Sequence, residues 1–295
     1  MTFTAVDLSR LPAPAVVKPL DYEAVLAEML AKLRTIDPQF TSVVESDPVY
    51  KILQVAAFYL VQKTNQVNDA ARAVMLAYAQ GSDLDQLGAL FGVARLVLDP
   101  GSSALGIPAT LESDVEFRRR IQLAPEGYSV AGPEGAYIYH ALSADAGVLD
   151  ASATSPNPGV VVVTVLGRDG DGAPSAALVN AVAARLSDDS IRPLTDQVRV
   201  QGATIVPYQV AATVYTYAGP DSTLVLAEST RRLRRYVDEA HRLGRDIPLS
   251  GIYSVLHSEG VQRVELTSPA QDIVISRTQA AYCTGITVTP GGVNE

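Results

Sequence analysis

The amino-acid sequence predicts an α+β protein: an N-terminal helical bundle segment, then a mixed α/β region ending in a ferredoxin-like C-terminal domain. Three observations carry this reading. Apolar residues recur at helical spacing between Asp21 and Ala79. After Gly147 the pattern changes to short apolar runs bounded by Pro, Gly and Asp, which read as strands. The elements of that second half follow one another as β-α-β-β-α-β, the split βαβ order of ferredoxin-like sandwiches. The chain therefore divides into an extended arm over 1–19, a helical region over 20–95, a helical linker region over 96–146 and an α+β domain over 147–295.

Each element has a local cause. The arm carries Pro12, Pro14 and Pro19 and no sustained period. A first helix runs from Asp21 to Ile36, with Tyr22, Leu26, Met29, Leu30 and Leu33 on one face. Asp47-Pro48 is a start signal, an N-cap acid followed by proline at the first helical position. No breaker follows until Ala79, which predicts a rod of roughly 48 Å at about 1.5 Å per residue. Its first half, Ile52 to Val61, is apolar nearly all round, so it must be covered on several sides. The second half narrows to Val67, Ala71, Val74 and Tyr78. The chain then turns on Gly81 and begins a short helix with Ser82 and Asp83. Residues 95–112, with Pro100, Gly101, Gly106 and Pro108, read as a loop. Ser113 and Glu116 form a capping box for the next helix, and Gly132-Pro133-Glu134 opens another.

Strands follow at Val148–Thr154 and Val160–Leu166, joined by a Ser-Pro-Asn-Pro-Gly turn. Ser175–Ser187 is helical; Gln197–Val200 and Ile205–Tyr217 are strands. A helix from Thr223 to Arg242 stops at Gly244. A short helix at Ser250–His257 and strands at Val261–Thr267 and Ile286–Thr289 complete the chain.

Hydrophobic residues make up 47% of the 295 residues and charged residues 19%. The mean hydropathy is +0.15. This is a packed chain with room for two or three domains, and its low charge fraction points to surface buried against partners. A net charge of -9 argues against coating nucleic acid. No apolar leader is visible around Asp7 and Arg10. The longest uncharged run, Val200–Pro220, alternates like a strand, so no membrane span is expected.

Candidate chemistry is sparse. Cys283, the single cysteine, sits in a setting that reads as a loop entering a strand. Asp169-Gly170-Asp171-Gly172 has turn composition and lacks the further oxygen ligands of a calcium loop. His140, His241 and His257 each stand alone on a predicted helix. All four lysines, Lys18, Lys32, Lys51 and Lys63, lie in the first quarter, and no nucleophile-elbow, phosphate-loop or dinucleotide pattern occurs. No catalytic, metal or cofactor site is expected. Two arginine runs, Arg118–Arg120 and Arg231, Arg232, Arg234 and Arg235, read either as solvated faces or as salt-bridging surfaces for acidic partners, with phosphate binding third.

The segments DPVYKILQVAAFYL, LAYAQGSDLDQLGALFGVAR and ESDVEFRRRIQLAPEGYSVAGPEGAYIYHALSADAGVLDAS, followed by SPNPGVVVVTVLG, IRPLTDQVRV and LGRDIPLSGIYSVLHSEGVQRVEL, resemble in that order the baseplate-J-like family over residues 47–267. The family comprises wedge proteins of contractile phage tails and R-type bacteriocins. The resemblance implies a non-enzymatic structural role in a sixfold baseplate that relays a trigger to sheath contraction. It implies as partners a second copy of the chain, a baseplate-I-like wedge protein, and sheath-initiator and hub proteins, with no nucleic acid and no cofactor. Carried onto this chain, the shared helix bundle falls on Tyr22–Phe91, with Ile52, Val55, Phe58, Tyr59, Leu60, Leu76, Leu84 and Leu87 as partner contacts. Ring-forming contacts fall on the α+β domain, with Arg231, Arg232, Arg234 and Arg235 as a polar interface. The alternative is a tail-associated cell-wall hydrolase.

Overall fold

The computed structural model describes residues 8, 11, 14, 16–40, 43–219 and 221–293, so most of the expected arm lies outside the described residues. The chain divides into two compact units. The first takes the described residues up to Arg95 together with Ser113–Arg118; the second takes Leu96–Glu112 and the chain from Arg119 onward.

In the first unit, α1 (Tyr22–Ile36) starts on Asp21, whose carboxylate accepts from the Ala24 N–H at 3.0 Å. Helix α2 (Pro48–Ala73) has proline at its start as predicted, but the Asp47 carboxylate accepts instead from the Val44 N–H at 3.1 Å. The rod also ends at Ala73, short of the predicted Ala79. Beyond Ala73 the chain turns instead of coiling on: the Met75 N–H donates to Arg72 and the Tyr78 N–H to Met75, each three residues back, and the Arg118 guanidinium holds the carbonyls of Leu76 and Ala79, each at 2.6 Å. Helix α3 (Gly81–Leu90) follows a turn at Gly81, where φ is +50°. Gly88 is required for a different reason: a Cβ there would stand 2.5 Å from Phe117 Cζ. Helix α4 (Asp114–Leu123) has the predicted capping box. Ser113 Oγ accepts from the Glu116 N–H and donates to its carboxylate, both at 3.3 Å.

In the second unit, the segment read as a loop contains a small antiparallel hairpin, β1 (Val97–Asp99) with β2 (Thr110–Leu111). Beside it, Glu112 and Arg120 form a two-pronged ion pair at 2.8 and 2.7 Å, both side chains almost wholly enclosed. The Glu112 carboxylate also accepts from the Leu96 N–H. Helix α5 (Glu134–Leu142), β3 (Val148–Asn157), β4 (Val160–Gly167), α6 (Ala176–Leu186) and β5 (Gln197–Gly202) build a sheet of order β3-β4-β5. Strands β3 and β4 are antiparallel; β4 and β5 are parallel, joined through α6. Tyr137, Ala141, Val163, Val165, Val182 and Leu186 form the core of this layer.

A second sheet, of order β7-β6-β8, uses β6 (Thr204–Thr216), β7 (Val261–Ser268) and β8 (Gln279–Val293). Helices α7 (Ser222–Ala240) and α8 (Leu249–Leu256) supply Leu233, Val237, Ala240, Ile252 and Leu256 to its core. The strands expected to share one ferredoxin-like sheet are therefore dealt to two. The reason is visible in two consecutive residues. The Ala203 N–H donates to Val165 in the first sheet, and the Thr204 N–H donates to Thr278 beside the second. Strand β8 is also much longer than the predicted Ile286–Thr289.

Asp150 joins the two layers. Its enclosed carboxylate receives Arg119 at 2.7 Å and the backbone N–H groups of Ala151 and Leu243. Each arginine of the first run thus has its own internal duty, and the solvated-face reading of Arg118–Arg120 is corrected. Replacing Arg120 with Met strands the Glu112 charge and is expected to cost about 3–5 kcal/mol. Urea unfolding measures it, and a loss below about 1 kcal/mol contradicts the assignment.

Candidate assembly interface

At about 100° per residue, Leu53, Ala57, Val61, Thr64 and Asn68 share one stripe of α2. That stripe is the covered one: Ala57 and Asn68 are buried and the other three are half-buried. Opposite it stand Ile52, Val55 and Tyr59, with exposures of 67%, 56% and 59%. Phe58 and Leu60 flank them at 52% and 47%, and the Phe58 and Tyr59 rings meet edge to face at 5.8 Å. Val67 and Val74 extend the uncovered surface toward the end of the helix. In the facing helix, Leu26 is the one buried residue, and Ile36 at its end is exposed.

Sealing the uncovered half of each large side chain is worth on the order of 1 kcal/mol, and an apolar patch of this extent marks an interaction surface. A buried polar device holds the covered stripe. The Asn68 carboxamide accepts from the Lys18 N–H at 3.0 Å and donates to the Lys18 carbonyl at 2.8 Å.

The remaining expected contact residues divide. Leu76 and Leu87 are half-buried. Leu84 is fully enclosed, because it shares the inner face of α3 with Gly88 one helical turn on, so it is not available to a partner. Sequence periodicity places Leu84 on an apolar stripe but does not say which neighbour covers that stripe.

On α7 two of the four arginines of the second run are paired within their own helix. Arg231 makes a two-pronged pair with Glu228 at 2.8 Å, and Arg235 pairs with Glu239 at 2.7 Å. Arg232 is half-buried and Arg234 exposed. Exposed pairs of this spacing contribute little to stability.

The histidines are placed separately. His241 Nδ1 lies 2.7 Å from the Ala281 carbonyl, His257 is exposed at the end of α8, and His140 is buried in α5. Cys283 lies inside β8, and not in a loop. Burial pushes its thiol up, which keeps it protonated at neutral pH. Among the described residues no group of three or more His, Cys, Asp or Glu is arranged to hold a metal ion.

Three family models match in chain order: the baseplate J-like N-terminal domain over 45–102, the central domain over 129–202, and the C-terminal domain over 208–289. The chain is 47% identical over 299 residues to baseplate protein J of Escherichia phage P2, covering 98% of this chain and 99% of that protein. It belongs to the baseplate J-like family. A chain of the cryo-EM structure of the anti-feeding prophage baseplate, six-fold symmetrised, is similar with a TM-score of 0.39 and 14% identity, over 60% of this chain and 44% of that one. In this baseplate J-like chain, the central and C-terminal matches fall on either side of the Ala203–Thr204 switch between sheets. Among the described residues no helix is long and apolar enough to cross a membrane.

His140 gives this fold an acid-sensitive point. Its Nε2 faces the Gly127 carbonyl at 3.1 Å and so carries the proton, while Nδ1 is buried with no hydrogen-bond partner. Burial is the main force holding its pKa below the ordinary 6.5; Arg185 adds to it, and Gly127 and Asp188 oppose it. A folded-state pKa below the unfolded one means that the unfolded chain binds the proton more readily. Stability is therefore expected to fall as pH drops below about 6.5 and to level off beneath the folded-state value. Unfolding midpoints measured between neutral and mildly acidic pH check this. His140→Gln keeps a donor for Gly127 and should flatten the slope; an unchanged slope removes His140 as its source.

Proposed function

We propose that this chain is a structural component of the baseplate wedge of a contractile tail or tail-like bacteriocin, and that α2 is its bundle-forming surface. The helices over Tyr22–Phe91 pack with a second copy and with a baseplate-I-like wedge protein. Ile52, Val55, Phe58, Tyr59 and Leu60 are the principal contacts, and Leu76 and Leu87 lie at the margin. The unit that holds the two sheets contributes contacts between neighbouring copies in a ring, with the α7 arginines as a polar part, and the wedge meets sheath-initiator and hub proteins. The chain acts without catalysis. Its place of work is the baseplate of the particle, after synthesis in the bacterial cytoplasm.

The single observation behind this reading is the apolar surface of α2, which the chain leaves uncovered on the side away from α1. Family membership and the likeness to a phage baseplate protein support the setting. A wedge that relays a trigger needs elements with two stable arrangements, and interfaces between packed copies supply them.

The test follows from exposure. Phe58→Asp puts a charge on a surface that this chain does not fill, so folding and helicity should be preserved. Co-purification with the baseplate-I-like partner should be lost, because burying an unpaired carboxylate costs several kcal/mol. Retained co-purification refutes the placement of the bundle on α2.

A further inference from the structure

Strand β8 is an edge. The sheet order β7-β6-β8 gives it β6 on one side, along its whole length. On its outer side the chain closes only the beginning. Leu243 bridges Ala280, the Gly244 N–H donates to Gln279, and His241 reaches the Ala281 carbonyl. From Tyr282 to Val293 no other strand is paired with it among the described residues.

Edges of this kind are ordinarily guarded by brevity, charge or a covering element, because an open row of N–H and C=O groups templates another strand. The other edges of the two larger sheets carry such guards. Strand β3 has the Asp150 carboxylate, β5 is six residues long and has Arg199, and β7 has Arg263 and Glu265. Strand β8 runs for 15 residues without one charged side chain. Its middle, Ile286-Thr287-Val288-Thr289, is rich in β-branched residues. Proline falls late, at Pro290.

We propose that β8 pairs with β8 of a second copy of this chain, antiparallel and centred on Thr287, to make one continuous six-stranded sheet. The pattern of the strand fits itself. Centring on Thr287 sets Ile286 opposite the second copy's Val288 on the face packed against α7 and α8, where both residues already lie against the core. Thr287 then faces its own counterpart on the open face, where it is exposed. Thr–Thr and β-branched cross-strand pairs are favourable, and with no charge on the strand no like charges are opposed. Pro290, which cannot donate, falls opposite Thr284 near the end of the pairing. A two-fold axis perpendicular to the sheet keeps the helices of both copies on one face. This surface is separate from α2, and the proposal stands without the bundle.

The experiment uses the full chain carrying Phe58→Asp, so that α2 cannot mediate association, and measures mass by sedimentation across a concentration series. The expected result is a doubling of mass, with slowed hydrogen exchange over Ile286–Thr289. Adding Thr287→Lys sets two ammonium groups face to face and should return the protein to a monomer, as should Thr287→Glu alone. Mixing the Lys and Glu variants should restore the dimer. Far-UV circular dichroism verifies that each variant is folded. A chain that stays monomeric overturns the proposal, as does a dimer indifferent to both charges. Protection of β8 that arises only when another protein is added assigns the edge to that protein and equally overturns self-pairing.

Discussion

A long helix with cover for one stripe only is the constraint from which the rest of this architecture follows. Helix α2 is apolar nearly all round in its first half, yet it meets α1 along the line of Ala57 and Asn68 and leaves its opposite side open. Few buried apolar residues hold the first unit together: Leu26, Ala57, Ala79, Leu84, Val93 and Phe117. Hydrophobic burial is the main favourable term in folding and association alike. Surface left outside the fold of one chain is therefore the natural currency of assembly, and the baseplate J-like family is an assembling one.

The second unit solves its packing internally. Each of its larger sheets has a central strand with one antiparallel and one parallel neighbour, and each has helices against one face. Its enclosed carboxylates are well supplied with donors. Asp150 accepts from Arg119 and from two backbone amides, and Glu112 from Arg120 and Leu96. Buried charge of this kind is tolerated because every lone pair that matters has a donor. His140 Nδ1, Arg192 Nε, Thr216 Oγ1 and Gln262 Oε1 are buried without a hydrogen-bond partner.

What was legible in the sequence was local. Asp21, Pro48, Ser113 and Ser175 mark helix starts because a cap or a fixed φ acts within one turn of its own residue. The positions of β3 to β7 were legible as apolar runs between turn residues, β8 only in its Ile286–Thr289 middle, and the open face of α2 through an excess of apolar residues. The end of α2 was not, because no glycine or proline marks it and the turns that close it past Ala73 are set by packing that the sequence pattern does not show. The pairing of strands into two sheets was not, because element order alone does not say which edge receives the next strand. Leu84 was misplaced for the same reason: periodicity gives a face, and only the tertiary structure gives its neighbour. The three consecutive arginines read as one feature and are three, since residues 100° apart on a helix meet different surroundings.

The grip of Asn68 on Lys18 has a further consequence. It engages the peptide group alone, one donor and one acceptor, and takes nothing from the lysine side chain. Recognition of that sort is blind to identity: nineteen of the twenty residue types could occupy position 18 and still be held, proline alone being shut out for want of an N–H. Position 68 has no such latitude, because only a carboxamide offers both halves of the match at that reach. The hold on position 18 is thus written almost wholly into the helix that receives it.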